Sequence, residues 1–473
     1  MYPNQPDAFD WHAQRHQSEL TETSEPEADD LDHESLRPRG FAEWFALGLT
    51  LLPALLFVPG SQAYRLPLRV GAYAISLYAF VIWWFDRGGR KEGKHPGERF
   101  LMLSLAVLFF GLAHPLTSTL QSGLAQIALY FAIFCPLFWA RAYITTRRQL
   151  VRVILILLVC NGLNSMVGVL QVYDPQRWMP RELSALYQGN SDFLAAATYL
   201  GPGGRAIIRP PGLFDTPGAV CGAGTLAALF GLIITLEPLA LWKRAIALGM
   251  AIAGVSAIYL SHVRVSLVVT VGMMAAYVIM LTAQKQTKRV AAFTTLSVGL
   301  VLGSLSIATI LGGESIMERF STLVAEDPRE LYYRSRGQSV EYAFNNLISE
   351  YPLGAGLARW GMMNAYFGDT RKLDAPTVFA EVQPNAWLLD GGVFLLAFYG
   401  IALGLTVAYD VKLIRTLANR DDRLWAAAVI AANFGTLALV FSFVPFGTSV
   451  GMQFWFLEGG LHGAMARRPR IQP

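Results

Sequence analysis

The sequence predicts an all-α integral membrane protein of about twelve transmembrane helices, with a large, partly helical external loop between the ninth and tenth. Three observations predict it. Of the 473 residues, 53% are hydrophobic and only 15% are charged, where a soluble protein carries roughly 25%. Apolar runs near the length needed to cross a bilayer, about 20 residues, recur along the whole chain instead of feeding one core. The Lys and Arg residues of the short loops all fall on one side if those runs alternate across a membrane.

The N-terminal element comes first. Residues 1–40 hold ten acids against three arginines and few large apolar side chains, so they read as a disordered acidic tail on the cytoplasmic side. A basic start followed by an apolar run is missing there, so the tail is not a signal peptide. The candidate spans are 41–58, 68–85, 100–114, 120–140, 150–170, 217–236, 245–260, 265–283, 290–311, 386–409, 425–443 and 448–464. The third and seventh are short, and only Ser261–Arg264 separates the seventh from the eighth. Basic loops fix the orientation. Arg87, Arg90, Lys91, Lys94 and Arg99 come after the second span, and four arginines lie in 141–152. Later groups are Lys243/Arg244, Lys285/Lys288/Arg289, Lys412/Arg415/Arg420/Arg423 and Arg467/Arg468/Arg470. Loops 114–119 and 444–447, on the other side, carry none. Both termini are then cytoplasmic, including the basic tail 465–473. The domains are the tail 1–40, spans one to nine in 41–311, the external subdomain 312–385, and spans ten to twelve in 386–464.

Other classes fail on composition. Cys135, Cys160 and Cys221 are odd in number and lie in apolar runs, which excludes a disulfide framework; no metal-ligand spacing is present. A net charge of +4 gives nucleic acid no support as a partner. There is no P-loop, kinase set, nucleophile elbow or zinc motif, so no cofactor, no metal and no ATP-driven step is expected.

The chemistry is expected on the external segments 171–216 and 312–385. Six of seven lysines lie in the cytoplasmic loops, whereas the external segments use arginine almost throughout. The planar fork of arginine matches phosphate oxygens two at a time, which suits a diphosphate. Salt bridges with external acids such as Glu326 and Glu341 are the other reading for each arginine taken singly. Arg264 stands apart: it lies between two apolar helices, where a charge needs a partner or water. Snorkelling is its alternative. His262, two residues away, is a substrate contact or a structural hydrogen bond. The Arg209–Gly218 stretch, with Pro210, Pro211 and Asp215, is a helix-breaking lead-in that exposes backbone to a ligand or simply opens a span. Arg334 and Arg336 precede a helical stretch, Ser335–Ser349, where Val340, Phe344, Leu347 and Ile348 share a face; they act as an anion clasp or as a salt-bridged cap. Arg319 is a further candidate.

Four pieces together resemble the O-antigen polymerase and O-antigen ligase superfamily of bacterial envelope proteins, over roughly 41–465. They are Arg209-Pro-Pro-Gly-Leu-Phe-Asp-Thr-Pro-Gly, Tyr259-Leu-Ser-His-Val-Arg264, Arg336 with Tyr351-Pro-Leu-Gly-Ala-Gly-Leu after it, and Asn385-Ala-Trp-Leu-Leu-Asp-Gly-Gly. The resemblance implies a metal-independent glycosyltransferase at the periplasmic face of the inner membrane, taking glycan from an undecaprenyl-diphosphate carrier. Arg264, then Arg209, Arg334 and Arg336, would hold the diphosphate, and a chain-length regulator and a flippase would be partners. The family's usual His-Asn before the re-entering helix is missing: 312–385 has no histidine, and counting back from Asp390-Gly391-Gly392 reaches Glu381. Glu381 is the candidate base. Losing that histidine favours a polymerase over a ligase. A transporter of the lipid-linked glycan is the alternative of another class. It would show internal repeats and charges within spans, whereas no repeat is visible and charges gather at the outer face.

Overall fold

The computed structural model describes residues 39–86, 93–183, 187, 191–201, 204–369 and 378–466. The acidic stretch 1–38, the basic residues Arg87, Arg90, Lys91 and Arg371, and the final Arg467, Arg468 and Arg470 lie outside them.

Every candidate span falls on a helix. In order these are α1 Phe41–Leu51, α2 Arg65–Asp86, α3 Glu98–Gly111, α4 Leu120–Phe134 continued by α5 Pro136–Tyr143, α6 Arg147–Tyr173, α7 Val220–Thr235, α8 Leu241–Leu260, α9 Arg264–Ala283 and α10 Thr287–Gly312. After the long connecting segment come α11 Gln383–Thr416, α12 Arg420–Ala438 and α13 Ser449–Ala466. Among the described residues, eight helices are long and apolar enough to cross a membrane: α2, α4 with α5, α6, α8, α9, α10, α11, and α12 with its extension to Phe441. The helix at 41–57 and α7 are shorter and apolar. Phe85, Phe110 and Ile310 are each 82% exposed, so the outward faces of three helices are apolar, as lipid requires. The chain is thus almost wholly helical, with apolar helices compatible with a multi-pass membrane protein.

Local chemistry sets the helix ends. Thr119 caps α4 by accepting the Ser122 N–H at 3.0 Å. Thr146 and Gln149 cap α6 reciprocally, at 3.3 and 3.1 Å. Pro136 lacks the N–H that would make α4 and α5 one helix. Small residues then let helices touch backbone to backbone. A Cβ on Gly224 of α7 would lie 2.5 Å from the Gly254 carbonyl of α8, and one on Gly459 of α13 would lie 2.7 Å from the Pro136 carbonyl. Aromatic side chains fill the interior, with the Trp455 indole donating to the Tyr399 hydroxyl at 2.9 Å.

The longest helix, α11, is broken at Gly391 and Gly392; Gly392 has φ 62° and ψ −155°. The Pro352–Leu357 stretch fills the break. Val393 N–H donates to the Pro352 carbonyl at 3.0 Å, and Ala355 N–H to the Leu389 carbonyl at 2.7 Å. On its other side the Leu357 carbonyl accepts the Ser118 N–H at 3.2 Å. Ala355, Leu357 and Ala358 are wholly buried. The Pro-Leu-Gly-Ala-Gly-Leu motif is therefore a wedge that satisfies the open backbone of the kinked helix.

Segment 313–369 is largely helical. Glu314–Ala325 forms one helix and 328–350 a second, with wide π-turns at Tyr333–Gly337 and Ala343–Leu347. Those turns correct the expected face. Gly337, Ala343 and Leu347 point inward, while Phe344 is 49% exposed. Each π-turn spends an extra residue, so a regular 3.6-residue period assigns the residues beyond it to the wrong face. Tyr332 and Arg336 tie this helix to the Phe441 and Ser442 carbonyls at 3.0 and 3.1 Å.

Candidate functional site

The turn between α8 and α9 places Arg264. Ser261 Oγ donates to the Ile258 carbonyl at 2.7 Å and accepts the Val263 N–H at 3.3 Å, which closes α8. His262 takes the left-handed conformation, φ 55°, and the chain re-enters helix at Arg264. Its guanidinium reaches sideways to Thr322 Oγ1 on the 314–325 helix, 2.7 Å away. Arg319 lies one turn earlier on that helix.

Arg209 arrives from a different direction. A small antiparallel pair, Thr198–Leu200 with Ala206–Ile208, ends at Arg209, whose N–H donates to the Ala197 carbonyl at 3.0 Å. The Pro-Pro-Gly turn is then clamped on α6. Gln171 pairs with both backbone groups of Gly212, at 2.7 and 2.8 Å, and Asn164 accepts the Leu213 N–H at 2.9 Å. Gly212 has φ +68°, and the Asn164 side chain occupies the space a Cβ would need, so only glycine fits. The motif positions Arg209 rather than offering its own backbone.

Arg209, Arg264, Arg319 and His262 come together. The Nε atoms of Arg209 and Arg319 are buried without a hydrogen-bond partner. Among the described residues, none of the three arginines makes an ion pair. Burial pulls the Arg209 guanidinium below the usual arginine range, and Arg336 and Arg264 add to the pull. Arg319 shifts the same way, by burial and then by Arg264 and Arg209. His262 is 3% exposed and stacks on Tyr199 with centroids 3.7 Å apart. Burial first, then Arg209 and Arg319, push its imidazole down to about 4, so the ring is neutral at physiological pH. Its Nε2 is buried with no partner.

The other expected residues divide. Arg336 lies at the rim, close enough to affect Arg209. It holds Glu381 at 3.1 Å, and Ser339 donates to the same oxygen, Oε2, at 2.7 Å. Arg334 points away, 58% exposed on its side chain and paired with Glu326. Asp215 is not in the cluster. Its carboxylate is buried between Arg65 and Arg69, both at 3.1 Å. The sequence reading missed this pair because Arg65 ends a short outer loop and Arg69 sits inside the expected second span. Arg69 also donates to Thr216 at 3.0 Å and to the Tyr366 hydroxyl at 3.2 Å. Tyr187 feels both Arg209 and Arg69, so the two arginine groups flank it. Tyr199 and Thr322 were also unforeseen.

No family model and no curated protein matches this chain. The arrangement has to be read from its own chemistry. Three guanidiniums from three separate segments, without a protein carboxylate between them, form a site for an anion with several oxygens. At the rim a carboxylate with its Oε1 unbonded among the described residues supplies a proton acceptor, and the neutral imidazole can hydrogen-bond to a ligand.

Proposed function

We propose that this protein is a polymerase of lipid-linked polysaccharide repeat units, taking glycan from an undecaprenyl-diphosphate carrier at the periplasmic face of a bacterial inner membrane. In this reading the chain crosses twelve times with both termini cytoplasmic. The observation that carries it is the convergence of Arg209, Arg264 and Arg319 with no carboxylate to neutralise them. Like charges held together and half-buried are costly alone and favourable around a diphosphate.

The step is an exchange of bonds at an anomeric carbon. The acceptor hydroxyl attacks, the carbon–oxygen bond to the diphosphate breaks, and both bonding electrons leave with undecaprenyl diphosphate. The three arginines receive the charge that grows on its oxygens. The hydroxyl proton goes to Glu381 Oε1, while Arg336 and Ser339 hold Oε2 in place. The missing histidine in 312–385 favours polymerisation over ligation to lipid A–core or protein.

Purified protein in lipid, given an undecaprenyl-diphosphate-linked repeat unit, should yield a ladder of lengthening chains. Arg264→Ala should lower the rate by about 10²–10³-fold without loss of folded protein, the usual loss for one stabilising donor. One-step transfer to an added core acceptor, without a ladder, would instead make the protein a ligase. Movement of intact lipid-linked glycan across the bilayer, with no transfer, would make it a transporter.

A further inference from the structure

At the opposite end of the bundle a second polar cluster is buried. His95, just before α3, is 1% exposed. Gly97 N–H donates to its Nδ1 at 3.2 Å, so the ring proton sits on Nε2, which points at Glu458 Oε1 3.2 Å away. Asn433 of α12 donates to Glu458 Oε2 at 3.1 Å. Asp410 of α11 lies close enough to Glu458 of α13 for the two carboxyls to interact directly. Asp410, Asn433 and Glu458 are at most 4% exposed. Glu458 lies inside the expected twelfth span, and Asp410 one residue beyond the expected tenth.

The neighbours are accounted for. Arg141 pairs with Glu98, which also accepts the His95 N–H at 2.8 Å. Tyr409 Oη and His462 Nδ1 share a hydrogen bond at 2.7 Å, and His462 Nε2 donates to the Gly93 carbonyl at 3.1 Å. Burial, despite Glu98, pushes the His95 imidazole down to about 4. Among the described residues, no lysine or arginine pairs with Asp410 or Glu458.

Two carboxyl groups this close and this buried cannot both be ionised, so one of them holds a proton. Glu458 already accepts from two N–H donors, which favours its carboxylate, so the proton belongs on Asp410. Asn433 Oδ1 in the same cluster is buried with no partner among the described residues. Burying acceptors in this way is costly unless the site serves a ligand. We infer that Asp410 and Glu458, braced by Asn433 and His95, form a proton-binding site inside the bundle, remote from the arginine cluster. Exposed Gly93 and Lys94 border it, and His462 and Tyr409 connect that surface to the His95 ring, 5.6 and 4.9 Å away between centroids. The site does not depend on the glycosyl-transfer reading.

The test is infrared titration of the full chain in lipid nanodiscs, monitoring the carbonyl band of a protonated carboxyl. Such a band should be present at neutral pH and fade in alkali, and one component of it should be lost in Asp410→Asn. Asp390→Asn, which alters the other buried carboxyl of α11, should leave it. In Glu458→Gln the band's midpoint should move to acid by about one pH unit or more, since a unit is about 1.4 kcal/mol of interaction with the lost carboxylate. A band left unchanged by Asp410→Asn, or a midpoint unmoved in Glu458→Gln, overturns the assignment. A midpoint that depends on sodium at fixed pH overturns it in favour of a sodium site. Should the variants not fold, dicyclohexylcarbodiimide on the unaltered protein decides. It attacks protonated carboxyls in apolar surroundings, so an adduct at Asp410 that declines in alkali is expected, and its absence at every pH overturns the proposal.

Discussion

His262 shows how one side chain records the field around it. Its imidazole is buried against Tyr199 with Arg209 and Arg319 nearby, and burial and both arginines disfavour a second proton. An unfolded histidine titrates near about 6.5. The folded protein therefore binds fewer protons than the unfolded chain between that value and about 4. The contribution of His262 to stability is whole above the upper limit and is lost as pH falls through the window. Thermal unfolding measured from neutral to acid pH should decline more steeply for the natural protein than for His262→Gln. Parallel curves would mean that the ring is not held neutral by its surroundings. The histidine was visible in the sequence, but its state was not. That state depends on Arg209 from a distant strap and Arg319 from a distant helix, and nothing in Ser261-His262-Val263-Arg264 specifies either.

At the scale of elements, the kink of α11 and its wedge make one unit. Gly392 has φ +62°, and the Pro352 carbonyl occupies the volume a Cβ would take. Gly392→Ala should destabilise the protein by about 2–4 kcal/mol, the sum of a strained backbone and a clash that neither helix can relieve. Gly249→Ala, at a helical glycine with open space around it, should be close to neutral. A similar fall in thermal midpoint for both would show that the wedge is not rigid. Here the sequence was legible in part. Apolar runs gave the helices because lipid demands them, but the expected tenth span, 386–409, ran unbroken through Gly391-Gly392. What the Pro352–Leu357 stretch fills was not legible, because its partners at 117–118 and 389–393 are set by tertiary packing. Phe344 left the expected face of Ser335–Ser349 for a local reason, the π-turns, while Leu347 kept it. Asp410 and Glu458 carried no warning either, being single acids on helices whose contact no period reveals.

For the whole molecule, sidedness unites the two sites. α8 and α9 meet at Ser261–Val263, and the arginines gather at that end. α9 and α10 meet at the far end, beside Lys285 and Lys288, and His95 with Lys94 belongs to that end as well. Each hairpin thus carries arginine sites one way and basic loops the other, and the basic ends are expected in the cytoplasm. Tyr64 and Glu318 are exposed at the arginine end, and Lys94 and Lys288 at the other. Single cysteines at these four positions, with Cys135, Cys160 and Cys221 replaced by serine, make the expectation measurable. A membrane-impermeant maleimide added to intact spheroplasts should label Tyr64→Cys and Glu318→Cys, and should label Lys94→Cys and Lys288→Cys only after lysis. Tyr64 and Lys94 bracket α2, and Lys288 and Glu318 bracket α10, so each pair reports one crossing. Between Lys94 and Lys288 the reading places six crossings, through α3, α4 with α5, α6, α7, α8 and α9, an even number that returns both lysines to one side. Opposite labelling of these two lysine positions would remove one of the shorter helices, α3 or α7, from the membrane. It would also place Arg65 and Arg264 on different faces, and a single outward-facing arginine region could not survive that result.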